Sequence, residues 1–124
     1  PWGSTFDPTW ARSVASQTGA PCPVEVTEYA TDESPYGLRG GAGNVRDMCA
    51  NRWTLDGPRL AGSRLVMEEE RDDSSLEYIA CRGGSWHSVE HFCRAAARFV
   101  VSPDQWRTTL GFRVGRSLEE PVRR

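Results

Sequence analysis

No lysine occurs among the 124 residues; all 15 basic residues are arginine. That usage fits a GC-rich genome, and arginine forks also suit carboxylate and phosphate ligands better than lysine does. Long apolar runs are missing too. The longest spans only a few residues, which excludes a membrane-crossing helix or a signal peptide within this stretch. No internal repeat or coiled-coil heptad is present. The four cysteines (Cys22, Cys49, Cys81, Cys93) have irregular spacing and no Cys-x-x-Cys. They are too sparse for a disulfide scaffold, so free, mostly buried thiols in a reducing cytoplasm are expected. A formal net charge of −2 gives no electrostatic basis for a nucleic-acid or membrane-surface partner.

What remains is one domain with a modest core and much loop: apolar residues make up 38%, and there are 12 glycines and 8 prolines. From Cys93 the chain alternates, with Cys93, Ala95, Ala97, Phe99 and Val101 on one face and Arg94 and Arg98 on the other. That period of two predicts a half-buried strand over residues 93–101. Further strands are predicted over 44–51, 76–82 and 112–116, and a short helix over 8–15, with Asp7 as its N-cap and Pro8 at its first position. Residues 32–43 read as a turn-rich connector and 55–75 as an irregular middle. The acidic run Glu68-Glu69-Glu70 and Asp72-Asp73 reads as a solvated loop. Arg82, Arg94, Arg98 and Arg113 flank the strands and are expected to find carboxylate or carbonyl partners.

Five strings carry a resemblance. Pro1-Trp2-Gly3, Ser34-Pro35-Tyr36-Gly37-Leu38, Ala42-Gly43-Asn44-Val45-Arg46-Asp47, Arg82-Gly83-Gly84-Ser85-Trp86 and Gly111-Phe112-Arg113 follow one another in the order found in the formylglycine-generating enzyme (sulfatase-modifying factor) family. They span residues 1 to about 116. The resemblance implies an irregular α+β fold of C-type-lectin-like topology, with short antiparallel strands and long loops. It also implies that residues 1–124, which begin without a methionine, are the C-terminal part of a larger domain. The partner would then be the N-terminal half of that domain or a second chain. Similar domains are fused behind bacterial Ser/Thr kinases or serve as variable proteins of diversity-generating retroelements, so a bacterial, cytoplasmic location is expected.

Members that oxidise a protein cysteine to formylglycine bind copper(I) through two cysteines five residues apart. The second position falls on Cys93 and the first on Ser88, while Ser85 matches the active-site serine. A serine hydroxyl is a hard ligand and does not replace a thiolate for Cu(I). His87 and His91, with Cys93, form another candidate cluster, but in a loop the His-x-x-x-His spacing has no special meaning. The resemblance further implies a structural calcium held by the carbonyls of Gly43 and Val45 and the carboxylate of Asp47, hard oxygen ligands suited to that ion. Trp86, His87, Ser88, Glu90, His91 and Trp106 are candidates to line a groove for an unknown protein or small-molecule ligand. The reading is therefore a non-catalytic binding or sensory module; the alternative is a copper-dependent formylglycine-forming oxidase or related oxygenase using Ser85 and Cys93.

Overall fold

The protein is described by a computed structural model covering residues 2–16, 18–66 and 78–115. Its longest strand, β1 (Arg46–Arg52), falls where alternation placed a strand. Two short strands, β2 (Leu60–Ala61) and β3 (Arg64–Leu65), pair as a hairpin inside the stretch read as irregular. Then come β4 (Ile79–Arg82), β5 (Arg98–Val101) and β6 (Leu110–Gly111). The main sheet has the order β5-β4-β1-β6, antiparallel except where β6 runs parallel to β1. The acidic run and residues 76–77 of the strand expected there lie outside the described residues.

Three expected elements differ from what is found. No helix covers residues 8–15. Asp7 does act as a local cap, but its carboxylate accepts from the backbone N–H and hydroxyl of Thr9 at 2.8 and 2.7 Å, closing a turn. Among the described residues nearby, helical geometry is confined to a single 3-10 turn, Val14–Ser16. β5 begins at Arg98 rather than Cys93: Glu90–Cys93 forms a 3-10 turn, and the carbonyls of Ala95 and Ala96 accept from the Arg82 guanidinium (3.3 Å each) instead of joining a ladder. The last strand comes earlier and is shorter than predicted: β6 is Leu110–Gly111, paired with Arg46 and Asp47 of β1, and beyond it the Arg113 side chain donates to Asp47. Residue 116 lies outside the described part.

All four flagged arginines have partners. Arg94 donates to the carbonyl of His91 (3.1 Å), Arg98 to that of Thr54 (2.8 Å), and Arg113 to those of Arg39 and Gly40 as well as to Asp47. The fold is thus an irregular α+β arrangement of short strands, 3-10 turns and long loops.

Where apolar side chains are buried among the described residues they are small: Ala11, Ala42, Ala80, Cys81, Cys93 and Val101. The largest fully buried side chains are Asp32, Cys81, Ser13, Ser85 and Ser88. Such a core relies on close backbone approach. At Gly43 a Cβ would sit 2.3 Å from the carbonyl oxygen of Arg12, and at Gly84 one would sit 2.4 Å from that of Ala42. Asn44 fixes the N-terminal segment by pairing its amide with both backbone groups of Val24 (2.8 and 2.9 Å), which rewards its unusual positive φ of 68°.

Sheet register places the next group. Met48 stands opposite Cys81, and Cys81 opposite Phe99, so these three share a face. Arg46, two residues before Met48, points to the same side, and its guanidinium lies 3.9 Å from the centre of the Phe99 ring.

Candidate functional site

The turn after β4 carries the first part of the site. Gly84 N–H donates to the Ala42 carbonyl (2.9 Å) and Trp86 N–H to that of Asn44 (2.7 Å), which clamps the turn against the connector before β1. Ser85 and Ser88 are both buried inside it. Ser88 Oγ accepts from the Ser85 N–H at 2.9 Å and from Arg46 Nη2 at 3.0 Å. Both acceptor sites of the hydroxyl are then filled, so its own proton is directed at Ser85 Oγ, 3.0 Å away. Ser88 also closes the turn onto the N-terminal segment, because its carbonyl accepts from Val14 N–H (3.0 Å).

Cys93 follows at the end of the 3-10 turn. Its thiol donates to the Val89 carbonyl (3.7 Å), and burial, reinforced by the negative charge of Asp32, pushes its pKa up to about 11. At neutral pH it is a thiol. Cys93 separates two cavities. The larger, about 290 Å³, is lined by Trp2, Phe6, Glu90, His91, Cys93 and Arg94 among others. Trp2 there packs against Phe6 and Trp10. The smaller, about 120 Å³, reaches Asp32. That carboxylate is 2% exposed and is met by the N–H groups of Ala42 and Gly43. Burial raises its pKa against the opposing pull of those donors.

The sulfatase-modifying factor enzyme 1-like domain family matches residues 1–118. The chain belongs to this family. Two curated relatives are both Ser/Thr protein kinases named pkn1. That of Chlamydia caviae is 27% identical over 119 residues, 96% of this chain and 18% of the relative. That of Chlamydia pneumoniae is 29% identical over 85 residues, 68% of this chain and 13% of the relative. The chain thus spans less than a fifth of the length of these kinases.

Within the sulfatase-modifying-factor frame, a two-thiolate copper(I) centre does not fit these residues. At the position where the resemblance implies the first thiolate, Ser88 offers a hard oxygen whose lone pairs are already engaged, which leaves Cys93 as the one sulfur. Among the described residues no group of three or more His, Cys, Asp and Glu side chains converges on a metal-sized site. All four cysteines are free; Cys81 and Cys93 are buried, Cys49 half-buried and Cys22 exposed. Of the calcium candidates, Gly43 and Val45 lie in the connector before β1. Oδ2 of the Asp47 carboxylate is held by Arg113 (2.7 Å to Nε, 2.6 Å to Nη2), so a calcium ion there would share the carboxylate with a guanidinium.

The six groove candidates do not form one surface. Glu90 and His91 line the larger cavity with Cys93, and Ser88 is buried below. Trp86 ties its indole N–H to the Thr108 carbonyl (3.1 Å) and meets His87 edge-on at 5.3 Å. Trp106 stands 87% exposed on the following loop. Sequence reasoning missed Arg46, Asp32 and the contribution of Trp2 and Phe6 to the cavity. For Arg46 a signal existed, since it sits in phase with Met48 on the strand face that holds Phe99. For Asp32 nothing in a run of turn residues distinguishes a buried carboxylate from a solvated one. Among the described residues no helix is long and apolar enough to cross a membrane.

Proposed function

We propose that this chain is a non-catalytic ligand-binding or sensory module of the sulfatase-modifying factor family, of C-type-lectin-like topology. The observation that carries this is the state of Ser88. It replaces the first copper-binding thiolate, and its hydroxyl is fully committed to Arg46, Ser85 and the turn itself. A metal that needs two soft ligands has one sulfur at most here. The ligand, a protein segment or a small molecule, would enter the cavity bounded by Trp2, Phe6, Glu90 and His91. Aromatic walls with one carboxylate and one imidazole at the rim suit such a role.

By likeness to the two kinases, the module would be appended to a catalytic domain and report binding to it. The chain would be the C-terminal part of its own domain. Phe112, Val114 and Trp106, exposed by 74, 90 and 87%, are candidates for the surface that the rest of that domain or a second chain covers. Trp2, Val45 and Ile79 are half-buried within the chain itself.

Two measurements on the full-length protein test the reading. Anaerobic competition with a Cu(I) chelator should reveal no tight one-to-one site, and a Cys-x-Pro-x-Arg peptide with copper and reductant should not be turned over. Turnover at the rate of an authentic formylglycine-generating enzyme would overturn it. Ser88→Cys gaining tight copper binding from none would support it.

A further inference from the structure

The cavity beside Cys93 holds two opposite charges that are not spent on one another. Glu90 and Arg94 both line it. They stand four residues apart, a spacing at which a continuing helix would pair them. The 3-10 turn stops at Cys93, however, and Arg94 is extended, with φ −74° and ψ 144°. Its Nε donates back to the carbonyl of His91 (3.1 Å). Both Nη groups are left to fork onto a carboxylate. Among the described residues no cation or hydrogen-bond donor meets the Glu90 carboxylate, and the ion pairs present join other residues.

The rest of the lining comes from residues 2–6 and is largely aromatic. Trp2 and Phe6 are half-buried, with ring centres 6.2 Å apart, and Trp10 braces Trp2 from behind at 5.6 Å. At about 290 Å³ the cavity lies at the small end of the roughly 300–1,000 Å³ usual for small-molecule sites. It suits one compact molecule rather than a folded segment.

We propose that this cavity takes a free α-amino acid with a large apolar side chain. The ammonium group meets Glu90, the carboxylate meets Arg94, and the side chain packs against Trp2 and Phe6. The inference rests on the binding-module reading above and names the ligand class of its cavity. Other classes fit these walls less well. A simple anion meets repulsion from Glu90, and a simple cation meets it from Arg94. A purely apolar molecule would desolvate both charges without compensating either. A residue inside a peptide chain carries neither terminal charge.

Isothermal titration of the full-length protein tests this with three probes: L-phenylalanine, its methyl ester and N-acetyl-L-phenylalanine. The ester lacks the carboxylate and the acetyl compound lacks the ammonium. L-Phenylalanine should bind one-to-one, and each derivative about tenfold or more weaker. Glu90→Gln should weaken L-phenylalanine by a similar factor while leaving the N-acetyl compound unchanged. Arg94→Gln should do the same with respect to the methyl ester. Both side chains are exposed, so neither variant threatens folding. No binding of L-phenylalanine, or undiminished binding in either variant, overturns the proposal. Equal binding of all three probes also overturns it, while leaving the cavity a ligand site. The non-catalytic reading fails on different data, the copper competition and peptide turnover described above.

Discussion

Arg46 on β1 donates to Ser88 Oγ at 3.0 Å across 42 residues of sequence, joining the sheet to the turn that follows β4. The same oxygen receives the Ser85 N–H. Removing it leaves two buried donors, one of them charged, without an acceptor. Ser88→Ala should therefore destabilise the protein by about 2–4 kcal/mol, well beyond the loss of one neutral hydrogen bond. Urea unfolding measures this; a change below about 0.5 kcal/mol would mean that water replaces the hydroxyl without cost.

Gly84 should tolerate no side chain. A Cβ there would lie 2.4 Å from the Ala42 carbonyl oxygen and 2.8 Å from Cys93 Sγ, and the first of these is backbone that cannot step aside. Gly84→Ala is expected to cost about 3 kcal/mol or more through overpacking. At Gly19, where nothing lies within 4 Å of the added methyl, the same change should be near neutral. Equal melting temperatures for the two variants would contradict the packing described.

How much of this was legible in the sequence follows from the range of the forces involved. β1 and the second half of β5 could be read because alternation is local: each residue's face depends only on its neighbours along the strand. The start of β5 could not, since its carbonyls are claimed by Arg82, which is distant in sequence and reaches them only once β4 pairs with β5. The helix expected at 8–15 failed for a similar reason. The backbone of Arg12 serves Asn44 instead of a helical ladder. In the site, Ser88 and Cys93 were found by position within a motif, whereas Arg46 became visible only through the cross-strand register.

The Cys93 thiol should be slow to react. With its pKa pushed to about 11, alkylation in a Cys22→Ser variant (removing the exposed thiol) should stay slow at pH 8 and accelerate only toward pH 11. The linkage has a definite sign. The folded state holds this proton more tightly than the unfolded chain, so the stabilisation is complete below the ordinary value of 9.0 and is lost as pH rises through about 11. The loss amounts to about 2–3 kcal/mol. Cys93→Ala should flatten that alkaline limb, and a limb unchanged by the substitution would refute the assignment.

Asp32 works in the same direction at the acid end. Burial raises its pKa, so the folded protein takes up its proton more readily than the unfolded chain, and this group's contribution to stability falls as pH rises from below 3.8 through the raised value. Asp32→Asn keeps one acceptor for the N–H groups of Ala42 and Gly43 but removes the titration. The stability difference, wild type minus Asp32→Asn, should therefore decline with increasing pH across that window when unfolding is followed from pH 3 upward. A difference that grows with pH would show that the backbone donors outweigh burial.

A core in which Ser13, Asp32, Ser85 and Ser88 occupy the best-shielded places leaves its mark on the heat capacity of unfolding. Exposing apolar surface raises that quantity and exposing polar surface lowers it, so the increment should fall below the usual ~12–15 cal/mol/K per residue. The stability curve then becomes a low, broad arch. Such a protein changes little in stability between cold and warm conditions, and its resistance to heat must come from hydrogen-bond geometry rather than from the withdrawal of oily surface from water.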